Sequence, residues 1–206
     1  MLLVATSLLA TGCSSEEPRR GNAPKGWAAC DDFLGAENIK ALDNQMGEGF
    51  LRIENQLASV DEVAEWMASM ARSWEPGSTA HWLNRIEPCT IALSDTRQKL
   101  TSETGWSHDS LQDLRSGSQP RGWRNAGGNV FTYEEADGRT PVAAFPCEVP
   151  GTDERQEAGL PLEVRVSGRA IPGFKDHLRG KLASALARTM SGALKCGNKP
   201  AIPSEL

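Results

Sequence analysis

The sequence predicts an α+β fold, a mostly antiparallel sheet packed against two or three amphipathic helices. Three observations carry this. Apolar residues recur at three- and four-residue spacing in two places: Val63, Trp66, Met67, Met70 and Trp74 early, and Phe174, Leu178, Leu182, Leu186, Met190 and Leu194 late. Between them lie short alternating or continuous apolar runs bounded by Gly, Pro and Asp, which read as strands. Helices first and last, with strands gathered between, is the order of an α+β domain.

The first helix is expected from about Asp31 to Gln45, with Phe33, Leu34, Ile39, Leu42 and Met46 inward and Gly47 and Gly49 ending it. Leu51 and Ile53 alternate with Arg52 and Glu54, the pattern of a short strand with one wet face. Ser59 to Glu62 spells a capping box, S-x-x-E, and opens the second helix. Its stripe of two tryptophans and two methionines reads as core packed on a sheet, with a pocket wall as the alternative. Pro76-Gly77 ends this element, and Cys89 to Leu93 is a short buried strand. Residues 95–128 are polar and rich in Gly and Ser. They are expected to form a long loop, with a helical turn or two near His108 to Leu114, joining two related halves, 27–94 and 129–206. Val130 to Glu134 and Pro141 to Pro146 flank Asp137-Gly138 as a hairpin, and Leu162 to Val166 alternates as a further strand. The last helix spans about Phe174 to Lys195 and stops at Gly197.

Leu2 to Ala10 form a short apolar run, followed by the small residues Thr11 and Gly12, then Cys13 and the polar Ser14-Ser15-Glu16-Glu17. This resembles the lipobox of a bacterial lipoprotein signal peptide. The resemblance implies that residues 1–12 are removed, that Cys13 carries a diacylglyceryl group, and that 13–26 are a flexible tether to a globular domain, 27–206. The run is shorter than the roughly 20 apolar residues that span a bilayer, whereas two acyl chains anchor a protein stably. No Lys or Arg precedes the run, and a basic stretch upstream of Met1 is expected. Arg outnumbers Lys and Gly is plentiful, so the chain is similar to small actinobacterial lipoproteins. That likeness is sharp over the first fifteen residues and general elsewhere. It implies an address on the outer face of the cytoplasmic membrane and brings no assigned biochemistry with it.

Of five cysteines, four lie beyond Cys13: Cys30, Cys89, Cys147 and Cys196. No CxxC or CxxH spacing points to metal, and an even number in an exported chain reads as two disulfides. Three pairings are open. The expected one is Cys30–Cys89 with Cys147–Cys196, each stapling a helix to a strand. A formal net charge of −5 without a basic stripe argues against nucleic acid as a partner.

Chemistry-bearing motifs are sparse. His81, His108 and His177 stand in no H-E-x-x-H, and Ser107-His108-Asp109 has the residue types of a triad without its spacing. No catalytic residue, metal ligand or cofactor is named. The segment Gln119 to Asn125 sets Trp123 between Arg121 and Arg124. An exposed aromatic flanked by cations stacks on a sugar or ligand ring while guanidinium groups hold phosphate or carboxylate. The alternative is that Trp123 folds down as a loop anchor. The expected function is a non-catalytic binding or interaction module of the cell envelope, its partner an anionic cell-wall polymer or an envelope protein. The alternative is a cell-envelope hydrolase whose site is assembled from scattered residues.

Overall fold

Gly35 divides the first expected helix in two. In the computed structural model, which describes residues 24–54, 59–77, 85–117, 121–135, 140–174 and 176–206, α1 spans Pro24–Leu34 and α2 spans Ala36–Met46. Gly35 between them has φ 83°, a left-handed value that strains any residue with a Cβ. α1 also begins inside the expected tether: Pro24 takes the first helical position, where its missing N–H costs nothing. Cys30 therefore lies within a helix rather than at its start. Cys13, His81, Gln119, Pro120 and the Asp137-Gly138 turn lie outside the described residues.

Seven strands follow among the described residues: β1 Leu51–Ile53, β2 Ile86–Leu93, β3 Lys99–Trp106, β4 Arg124–Gly127, β5 Val130–Glu134, β6 Pro141–Phe145 and β7 Leu162–Arg169. They form one antiparallel sheet in the order β1-β2-β3-β7-β6-β5-β4. The expected loop over 95–128 is thus corrected, since it contains β3, the short helix α4 (Leu111–Ser116) and β4. β3 eludes a hydrophobicity reading because two of its inward positions are Ser102 and Thr104, both buried. Their hydroxyls are satisfied in place. Ser102 Oγ accepts from Cys89 N and donates to Cys89 O, both at 3.0 Å, and Thr104 Oγ1 donates to Glu163 O at 3.4 Å. The strands form two meanders, β1–β3 and β4–β7, whose bounds differ from the expected halves 27–94 and 129–206 because β3 and β4 lie in the expected loop. They meet along a seam that pairs Lys99 to Trp106 with Arg169 to Leu162, so they share one sheet.

Four helices cover one face: α1, α2, α3 (Val60–Arg72) and α6 (Asp176–Ala193). The capping box at the start of α3 is formed, Ser59 N donating to Glu62 Oε2 at 2.8 Å and Glu62 N to Ser59 Oγ at 3.3 Å. The buried stripe of α3 is Val63, Ala64, Met67, Ala68 and Ala71. Trp66, expected in that stripe, is instead 43% exposed. Trp106 at the end of β3 is buried and donates its indole N–H to Met67 O at 3.2 Å, tying α3 to the sheet centre. Along α6, Leu178, Leu182, Leu186 and Met190 are buried as the spacing predicts. Both disulfides follow the expected pairing. Cys30–Cys89 joins α1 to β2 with Cα atoms 5.2 Å apart, and Cys147–Cys196 joins the segment after β6 to the end of α6 at 4.8 Å. No helix among the described residues is long and apolar enough to cross a membrane.

Candidate functional site

The second face of the sheet is divided between an apolar half and a charged half. The connection from β3 to β4 must travel from mid-sheet to the far edge, and α4 crosses this face on the way. Leu111 and Leu114, three apart on one side of α4, pack with Trp123 onto Phe131, Tyr133, Val142 and Ala144. Trp123 is 5% exposed. Its indole N–H donates to Asp109 Oδ2 at 2.7 Å, and its ring meets that of Tyr133 edge-on at 4.4 Å between centroids. Arg121 turns towards the same pair, 3.6 Å from Asp109 Oδ2 and 5.8 Å from the Tyr133 centroid, while Arg124 stands exposed on the edge strand β4. Trp123 is therefore the anchor of its loop. The exposed stacking ring that the Arg121, Trp123 and Arg124 spacing predicts does not form, because the indole N–H has a buried carboxylate to satisfy it.

On the charged half, β7 presents Glu163 and Arg165 on the face opposite Val164 and Val166, which lie in the helix-covered core. Glu163 is 2% exposed. It accepts from Arg85 Nη2 and Arg165 Nε, each at 2.9 Å, and Arg165 also reaches Glu135 and, at 3.2 Å, the Tyr133 hydroxyl. Burial opposes the Arg165 charge, but Glu163, Tyr133 and Glu135 outweigh it and hold its pKa above the ordinary value. Breaking such a buried pair is costly because one charge is left uncompensated.

Glu103, facing Arg165 across the β3–β7 seam, is half-buried, and that burial raises its carboxyl pKa against the pull of Arg165 and Arg85. Because folding raises this pKa, the native state binds the proton more tightly than the unfolded chain. Stability accordingly falls as pH rises from the ordinary carboxylate value through the raised one. Glu103→Gln should therefore be more stable than wild type at neutral pH, with the advantage vanishing in acid. Paired urea titrations at the two pH values would test this. A variant less stable at neutral pH would mean that the carboxylate is held by its neighbours rather than penalised.

α4 turns its other side towards a cleft of about 600 Å³ between the segment after α3 and the short helix α5 (Gln156–Gly159). Trp74, Gly159, Ala158 and Leu111 supply its apolar surface, and His108, Arg115 and Arg155 its polar one. None of the described residues lining it is Asp or Glu, although the protein's formal net charge is −5. Arg155 is held by Asp153 through Nε and Nη2 at 3.1 and 3.2 Å, whereas Arg115 makes no ion pair among the described residues. The indole of Trp74 lies so close to Gly159 that a Cβ there would stand 2.5 Å from Cζ2 and Cη2. Bare backbone thus sets the angle of the ring. α5 is held in turn by the buried Gln156, which accepts from Val149 N at 3.1 Å and donates to Leu160 O at 3.2 Å. The sequence reading places Trp74 in the core stripe, and the structure has it just beyond the end of α3, partly buried and packed against that core while also lining the cleft.

Ser107, His108 and Asp109 do not converge. Ser107 is fully buried with Oγ accepting from Asp109 N at 3.2 Å, Asp109 holds Trp123, and His108 faces solvent at the cleft. His177 is exposed and paired with Glu205. Among the described residues no three His, Cys, Asp or Glu side chains gather as metal ligands. Compared with known protein families, curated proteins and solved structures, the chain matches none.

Proposed function

We propose that this protein is a non-catalytic binding module of the cell envelope, with the Trp74 cleft as its ligand site. The observation that carries this reading is the lining of the cleft. An indole with a set orientation lies beside two arginines, of which Arg155 is held by Asp153, and a histidine, and none of the described lining residues is Asp or Glu. Sites of roughly 300–1,000 Å³ with an apolar body and a few placed polar groups are the usual form of small-ligand pockets. Anionic cell-wall polymers and acidic segments of envelope proteins are the partners that such a lining suits. In a titration of the full-length chain with solubilised envelope polymers, tryptophan fluorescence should change saturably. Trp74→Phe should weaken that binding several-fold, while Trp66→Phe, exposed on α3 away from the cleft, should not. Equal binding by wild type and Trp74→Phe would sink the assignment of the cleft.

The address is part of the same proposal: the outer face of the cytoplasmic membrane, through a diacylglyceryl group on Cys13. It is supported by the apolar run from Leu2 to Ala10 ahead of Cys13 and by two disulfides, which persist in oxidising compartments. Fatty-acid labelling of the producing cells should mark the wild-type protein and leave Cys13→Ser unmarked. Label retained by Cys13→Ser would overturn the anchor.

A further inference from the structure

We infer that the ligand of the Trp74 cleft is an acidic sugar, a saccharide ring bearing a carboxylate or a phosphate. The ring stacks on the Trp74 indole and the charge sits on Arg115. This rests on the reading of the cleft as the ligand site and adds the class of ligand.

Two features select that class. First, Gly159 keeps the benzo edge of Trp74 against backbone, so the ring is oriented before any ligand arrives and little ordering remains to oppose binding. A pyranose has apolar C–H faces that lie on such a ring and hydroxyl edges that need hydrogen-bonding groups around it. The exposed amide of Gln112 and the guanidinium groups of Arg115 and Arg155 line the cleft in that role. Secondly, the described residues lining the cleft carry cations and no carboxylate. Asp153 occupies two nitrogens of Arg155, and Asp113 is taken up in the cap at the start of α4, where it accepts from Ser110 N at 3.0 Å. Arg115, at the other end of α4, is left with no anion of its own among the described residues. A planar guanidinium of this kind matches carboxylate and phosphate oxygens in pairs. A cationic ligand would meet repulsion here, and a purely apolar one would make no use of the exposed Arg115.

The test follows the tryptophan indole resonances of the full-length chain in non-ionic detergent. Glucuronate and glucose 6-phosphate are the probes. Glucose, inorganic phosphate and adenosine monophosphate are the neutral ring, the bare anion and the flat aromatic anion. The two acidic sugars should shift the Trp74 indole signal and bind at least fivefold more tightly than glucose or phosphate, with a difference that shrinks as salt is added. Arg115→Gln should reduce their affinity to that of glucose. Trp74→Phe should weaken acidic and neutral sugars alike. If glucose matches glucuronate, phosphate matches glucose 6-phosphate, or adenosine monophosphate outbinds both sugars, the ligand class is wrong. If no sugar moves the Trp74 signal while envelope polymer still binds in a Trp74-dependent way, the class again fails and the cleft stands. If polymer binding is also indifferent to Trp74→Phe, the cleft itself is not the site.

Discussion

Trp123→Ala should cost about 3–5 kcal/mol of folding stability, the range for emptying a buried large aromatic site. The side chain is 5% exposed, packed on Tyr133 and bonded through its indole N–H to Asp109. The truncation removes the largest member of the apolar cluster under α4. It also leaves Asp109 with Arg121, at 3.6 Å, as its side-chain partner among the described residues. At roughly 2–4 °C per kcal/mol for a chain of this size, the midpoint should fall by on the order of 10 °C. Trp123→Phe keeps much of the packing and should lose less, the difference reporting the indole–carboxylate bond. A Trp123→Ala protein within about 0.5 kcal/mol of wild type would behave as a surface variant and contradict the buried position.

Removing the first disulfide should have an effect of similar size. Cys30 and Cys89 are 59 residues apart, and closing a loop of that length is worth about 4 kcal/mol in the chain-entropy model. Both cysteines are buried, so the Cys30→Ala/Cys89→Ala variant also opens a small gap between α1 and β2. Domains of this kind are typically stable by about 5–15 kcal/mol, so such a loss is a large share of the whole. The urea midpoint of the double variant should fall well below that of the oxidised protein, and on reduction the intact mass of wild type should rise by four hydrogens and that of the double variant by two. Four free thiols in freshly isolated native protein, or an unchanged midpoint, would refute the pairing as a source of stability.

What could be read from the sequence was local in origin. The capping box at Ser59 and the four-residue march from Leu178 to Met190 are self-contained signals, and the structure has both. The β5–β6 hairpin is equally local, with Glu134 opposite Pro141. β3 was not legible because the partners that make Ser102 and Thr104 acceptable inside come from β2 and β7, 13 and 59 residues away. Trp123 could not be assigned for the same reason, since its acceptor lies 14 residues earlier across a turn. The cleft gave no sequence signal at all. Trp74, Arg115 and Gly159 come from three separate elements, and only the path of α4 over the sheet brings them together.

The β3–β7 seam also governs the order in which the chain can fold. β3 is complete at Trp106, but the strand that closes its outer edge starts only at Leu162. During synthesis the first meander can form, with Cys30 and Cys89 both present, while β3 still offers an open row of backbone groups. Such an edge is a template for mispairing, and charged side chains along it are the usual protection. Lys99 and Glu103 occupy that edge on the face away from the helices. Because the central pairing joins residues so far apart, folding belongs in the slower regime of non-local topologies, about milliseconds to seconds, rather than with helical bundles.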